Sequence, residues 1–219
     1  MAFGEHWEWR GFGDLANAVR TQIQQLSPKF GAGVNVTDQY LWLPECKVNV
    51  KVRQKDLKFK FLLDRADEGF EKWREAEAEN YPFPLNPAVV AKLETALGTS
   101  FPADMSGKIL ETYQSLLDVL PRCTPPVIRV TIEKFRTTYI YPYDGQQILV
   151  ELAEIRRVEI DDQYQENTYT SVSLEGVEGA GVADLRHVHD ALGLPDTLQA
   201  KGYLQLIEEL VEGHVLDQP

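Results

Sequence analysis

The chain has 219 residues and carries 22 Lys and Arg against 34 Asp and Glu, a formal charge of -12 at pH 7. That length suits one domain, or at most two small ones, and a composition of 43% hydrophobic and 26% charged residues excludes wholesale disorder. The acidic balance argues against non-specific nucleic-acid binding, and two cysteines, Cys46 and Cys123, are too few for a disulfide framework or a four-sulfur zinc site.

No stretch approaches the roughly 20 consecutive apolar residues of a membrane helix. The opening MAFGEHWEWR lacks the basic-then-apolar order of a secretory signal, so the chain is read as cytoplasmic, with no membrane partner. After the short alternation of HWEWR, residues 34–61 alternate as strands do, interrupted at Pro44-Glu45 and near Gln54-Asp56. The pattern then turns helical over 64–120: EGFEKWREAEAE, PAVVAKLETALG after the Pro82, Pro84 and Pro87 cluster, and SGKILETYQSLLDVL ended by Pro121. Alternation returns in VIRVTIEKFRTTYIYPY, ILVELAEIRRVEI and NTYTSVSLEG, and VADLRHVHDALGL and GYLQLIEELV read as closing helices. This order predicts one α+β domain over 1–219 with a helical insertion at about 64–120.

The strands carry the most informative charges. In VNVKVRQ, Asn49, Lys51 and Arg53 share one face and Val48, Val50 and Val52 the other; in DLKFKF, Lys58 and Lys60 oppose Leu57, Phe59 and Phe61. Lys134 and Arg136 share a face of the later strand, where Arg129, Thr131 and Glu133 offer the competing phase. One reading makes these the solvated outer faces of amphipathic strands, since lysine protects exposed edges. Against it, like charges on neighbouring strands repel, and an acidic protein has gathered them with hardly an acid nearby. If the sheet curls with these faces inward, it forms a basic cavity suited to a chain of phosphates. Glu8, which alternates with His6 and Arg10, together with Glu151 and Glu175, supplies carboxylates that suit magnesium or manganese bridging to phosphate.

These residues resemble the CYTH domain, also called the triphosphate tunnel metalloenzymes. The family's first strand carries Glu-x-Glu-x-Lys; HWEWR is similar, with His6 in place of the first glutamate, Glu8 in the second and Arg10 in place of the lysine. The basic pairs Lys51 with Arg53, Lys58 with Lys60, and Lys134 with Arg136 follow in the family's order. SVSLEG keeps Glu175 of a late glutamate pair but has Ser173 for the other, and LGLP precedes a last helix that starts with Lys201 and Tyr203. The resemblance spans nearly the whole chain. It implies an eight-stranded antiparallel closed β-barrel, helices packed outside, that binds a triphosphate-containing small molecule.

On that resemblance, Arg10, Lys51, Arg53, Lys58, Lys60, Lys134 and Arg136 bind phosphate, while Glu8, Glu151 and Glu175 hold Mg2+ or Mn2+ and Glu8 and Glu175 serve catalysis. The expected activity is metal-dependent hydrolysis of inorganic triphosphate, thiamine triphosphate or a nucleoside triphosphate, by a monomer or homodimer. The alternatives are adenylate cyclisation in the same barrel and a polyphosphate-binding protein that has lost efficient chemistry, for which His6 and Ser173 argue. Magnesium prefers carboxylate oxygen and water, whereas a neutral imidazole favours a softer metal such as manganese or zinc. His187 and His189, two apart on a helix, do not converge on one metal; Gly176, Gly179 and Gly181 lack dinucleotide-fingerprint spacing; Cys46 is structural; and Trp7, Trp9, Trp42 and Trp73 belong to core or barrel wall.

Overall fold

The computed structural model describes residues 4–75, 80–105, 107–165, 168–177 and 179–216. In chain order these form β1 (Glu5–Phe12), α1 (Asn17–Gln24), β2 (Ser27–Pro28), β3 (Val34–Trp42), β4 (Val48–Arg53), β5 (Asp56–Arg65) and β6 (Phe70–Arg74). Then come β7 (Asn80–Pro82), α2 (Pro87–Leu97), α3 (Tyr113–Val119), β8 (Ile128–Tyr143), β9 (Gln146–Ile160), β10 (Gln163–Gln165), β11 (Tyr169–Gly176), α4 (Val182–Ala191), β12 (Gln199–Ala200) and α5 (Tyr203–Leu216).

Strand β9 pairs with β11 on one side and β8 on the other, so the ring β1–β6–β5–β4–β3–β8–β9–β11 closes on itself, antiparallel throughout. This is the closed eight-stranded α+β barrel that the resemblance implies, and strands from both halves of the chain build it. Closure leaves the barrel without free edges. Two-residue turns with positive φ at both positions, Gln54-Lys55 and Asp144-Gly145, join β4 to β5 and β8 to β9. Their twist matches that of the strands they connect. No helix among the described residues is long and apolar enough to cross a membrane.

Both faces of the sheet are covered. Outside, Leu41, Val50, Val52, Leu57 and Phe59 pack under α2 and α3, against Val90, Leu93, Leu116 and Val119. Asn86 caps α2, its side chain accepting from the Val89 N–H, Pro87 fills the first turn, and Gly98 ends the helix in the left-handed region at φ 69°. On another side Trp9, Val150, Val172 and Leu174 meet Leu185 and Val188 of α4. Inside, α5 fills one end of the barrel: Tyr203, Leu204, Leu206, Ile207 and Val211 pack on Phe12, Tyr40, Trp42, Val130, Ile132, Ile155, Val158 and Ile160.

One segment departs from the sequence pattern. EGFEKWREAEAE reads as helical, yet Phe70–Arg74 is the barrel strand that joins β1 to β5, and among the described residues that follow it the first α-helix is α2 at Pro87; residues 76–79 of the segment lie outside the described ones. The three-residue spacing of Phe70 and Trp73 imitates a helical face. It arises instead because this strand is covered on both sides, Phe70 packing in the outer layer and Trp73 inside. A strand buried on both faces loses its alternation. Among the described residues of 107–120, α-helix is confined to Tyr113–Val119, capped by reciprocal Thr112 and Ser115 bonds, and Ser106 is not among the described residues.

Candidate active site in the barrel interior

Cross-strand register fixes which side chains meet inside. Glu8 stands opposite Glu175 on one neighbour and Glu71 on the other, and Arg10 opposite Ser173. Asn49 pairs with Lys60, Lys51 with Lys58, and Tyr40 with Lys51. On β8 the inward phase is Val130, Ile132, Lys134 and Arg136, whereas Arg129 pairs with the exposed Asp162. The register shift at Glu133/Lys134 leaves Arg156 of β9 as the extra residue, which brings Ile155 and Val158 to the same side.

The resulting cavity, about 100 Å³, is lined by Arg10, Lys51, Arg53, Lys60, Lys134 and Arg136 and by Glu8, Glu71, Glu75, Glu151 and Glu175. Of the expected phosphate ligands, Lys58 shares the face of Lys51 but does not line it. The cavity is less basic than the sequence suggests, because internal carboxylates occupy the cations. Asp38, with no exposed surface, accepts from Arg53 Nη2 at 2.7 Å and lies 3.6 Å from Lys134. Glu151 accepts from Arg136 at 2.6 Å and from Arg10 at 3.3 Å. Lys60 bonds Glu8, and Lys134 donates to the Tyr203 hydroxyl at 2.8 Å.

Burial alone would raise the carboxyls of Asp38, Glu8 and Glu151; their cations more than reverse it. Asp38 and Glu151 sit well below the usual carboxylate range, and Glu8, beside Lys60 and Arg10, falls to about 2. Lys51 is the exception among these cations: among the described residues it forms no ion pair, and its nearest aromatic partner is the Tyr40 ring, 5.7 Å away. Burial, reinforced by Arg53, pulls its ammonium down to about 7, against the opposing pull of Asp38.

Arg10 ties three strands together. Nη1 donates to Glu151 (3.3 Å) and Ser171 (2.9 Å), Nη2 to Glu8 (3.3 Å) and Ser173 (3.0 Å), and the guanidinium lies 4.7 Å from the Tyr203 ring centre.

The expected metal set was Glu8, Glu151 and Glu175. Among the described residues, the group whose donor atoms lie within 4.8 Å of one another is His6, Glu8 and Glu175, while Glu151 is surrounded by Arg10, Lys134 and Arg136. His6 Nε2 lies 3.9 Å from Glu175 Oε1. Burial raises the Glu175 carboxyl and the facing Glu8 charge adds to it, against Lys60. Two close carboxylates and an imidazole are a donor set that fits a divalent cation, which would relieve that repulsion.

Three contributors, Asp38, Glu71 and Gly202, escape the sequence pattern. Asp38 lies on β3, where its neighbours Thr37 and Gln39 are also polar and hide its inward phase. Glu71 lies on the strand that reads as helix; buried, it accepts from Arg65 Nε and Trp73 Nε1, each at 3.2 Å, and burial raises its carboxyl. A Cβ on Gly202, at the start of α5, would come within 2.5 Å of Glu71 Oε2, so glycine is what lets the helix end approach this carboxylate. Asn49 Oδ1, buried in the cavity wall, has no hydrogen-bond partner among the described residues.

No family model matches the chain, and no curated protein matches it. Among solved structures it is similar to a "putative adenylate cyclase" from Bacillus halodurans, 12% identical with a TM-score of 0.39, over 88% of this chain and 92% of that one. It is also similar to the PH1819 protein from Pyrococcus horikoshii OT3, 13% identical with a TM-score of 0.42, over 94% of this chain and 98% of that one.

Proposed function

We propose that the chain is a divergent triphosphate tunnel metalloenzyme that hydrolyses a triphosphate-containing small molecule. The observation that carries this reading is one cavity lined by Glu8 and Glu175, which with His6 form a metal-capable group, and by Lys51, a half-buried cation that forms no ion pair among the described residues. An anionic phosphate beside Lys51 supplies the direct ion-pair partner that the more distant Asp38 and Glu75 do not. Arg53, Lys134 and Arg136, each held by an internal carboxylate, are oriented in advance and offset charge developing on the transferred phosphoryl group. A divalent cation, when bound, supplies polarisation of a phosphate oxygen, with His6, Glu8 and Glu175 as its ligands. Arg10 holds Glu8 in place, and Lys60 neutralises it.

A second reading, a phosphate-binding protein without turnover, is favoured by the extent to which Asp38, Glu151 and Glu8 already neutralise the cations. Phosphate release from inorganic triphosphate, thiamine triphosphate and ATP, each with Mg2+, Mn2+ or chelator, separates the two. Metal-dependent release that Glu175→Gln abolishes, with an unchanged melting temperature, supports hydrolysis. A triphosphate-induced rise in melting temperature without release supports the binding protein. Cyclic AMP and pyrophosphate from ATP would mark the cyclase instead.

A further inference from the structure

Buried between Glu8 of β1 and Glu151 of β9 is a ring of oxygen donors completed by the hydroxyls of Ser171 and Ser173 on β11. Two carboxylates and two hydroxyls at one place are what a hard divalent cation takes. The Arg10 guanidinium fills it, donating to all four at 2.9 to 3.3 Å. Arginine does not lose its proton in proteins, so this positive charge is permanent. Its other charged neighbour in the metal-capable group is Glu8, whose Oε1 faces Arg10 while Oε2 faces Lys60. A lysine on a flexible stem can turn away when a metal arrives; a planar guanidinium held by four acceptors stays.

We propose that Arg10 is a built-in cation that occupies one of two adjacent cation places, so that the chain binds a single divalent ion, at His6, Glu8 and Glu175, and prefers Mn2+ to Mg2+ there. The proposal rests on the metal reading above and fixes its stoichiometry and metal class. The imidazole sets the preference, because magnesium favours oxygen ligands and water whereas manganese accepts nitrogen more readily.

The test titrates Mn2+ alone into the chelator-treated full chain, without phosphate, following heat and the electron paramagnetic resonance spectrum. One Mn2+ per chain with the six-line spectrum of an isolated ion is expected, and Mg2+ should displace it only at tenfold or greater excess. His6→Glu should erase that excess, and Arg10→Gln should admit a second ion with a spin-coupled spectrum. Two ions in the unmodified chain, or one ion still in a folded Arg10→Gln variant, overturn the role of Arg10. Equal Mn2+ and Mg2+ affinities in the unmodified chain, or an unchanged preference in His6→Glu, overturn the role of His6. Zero ions in a chain that melts cooperatively removes the metal reading itself. If Arg10→Gln fails to fold, the count in the unmodified chain decides.

Discussion

Lys51 should make triphosphate binding depend on pH in a way that no other cavity cation does. In the free chain its ammonium has fallen from 10.5 to about 7, through burial and Arg53. A phosphate oxygen beside it returns the charged form to about its ordinary value, so above pH 7 binding takes up a proton. With a free value of about 7 and a bound value near 10.5, affinity falls roughly 50-fold between pH 7 and pH 9, about 2.3 kcal/mol. The assay is calorimetric titration with inorganic triphosphate at both pH values, in buffers of different ionisation heat. Lys51→Arg, charged throughout, reports the proton balance of the ligand itself, and the difference between the two proteins isolates Lys51. Identical pH slopes in the two would refute the reasoning. The free chain carries the same signature. Between about 7 and 10.5 the unfolded chain binds more protons than the folded one, so stability rises with pH across that window. Lys51→Met should flatten the rise.

Three further outcomes follow from the cavity and its floor. Asp38→Ala leaves the half-buried Arg53 without its ion-pair partner and Lys134 with Glu151 alone, and should cost about 3–5 kcal/mol in urea unfolding; a loss under about 1 kcal/mol would mean that the pair is dispensable. Acid unfolding should be steep, because Asp38, Glu8 and Glu151 all have lowered values in the folded chain. Their stabilisation is complete above the ordinary carboxylate range and is lost as pH falls from there through about 2 for Glu8, then lower for the others. A circular-dichroism titration with no loss of stability between pH 4.5 and pH 2 would contradict this. Ile207→Ala removes a fully buried side chain from the α5 plug and should lower stability by about 2–5 kcal/mol, read from the denaturation midpoint.

Alternation alone made much of the barrel legible. Period two places Lys51 with Arg53, and Lys58 with Lys60, on one face, and the valines and phenylalanines opposite are the ones that α2 and α3 cover. It cannot say which residue on one strand faces which on another. That is a matter of register and of bulges such as the one at Glu133/Lys134, which arise from pairings between residues far apart in the chain. The mutual repulsion of the basic pairs correctly demanded negative charge nearby. Its source was hidden, because Asp38 and Glu151 reach Arg53 and Arg136 only once β3 and β4, and β8 and β9, are paired.

The sequence by itself determined the local preferences: which faces of β4, β5 and β8 are charged, where α2, α4 and α5 run, and that His6, Glu8 and Arg10 share one side of β1. Only the tertiary structure decided that Phe70–Arg74 is the strand that joins β1 to β5, that His6 rather than Glu151 joins Glu8 and Glu175, and that Lys51 alone lacks an ion-pair partner among the described cavity cations. Hydrophobic periodicity records how a segment meets its surroundings, whereas charge pairing inside a barrel depends on distances between segments that are set only when the ring closes.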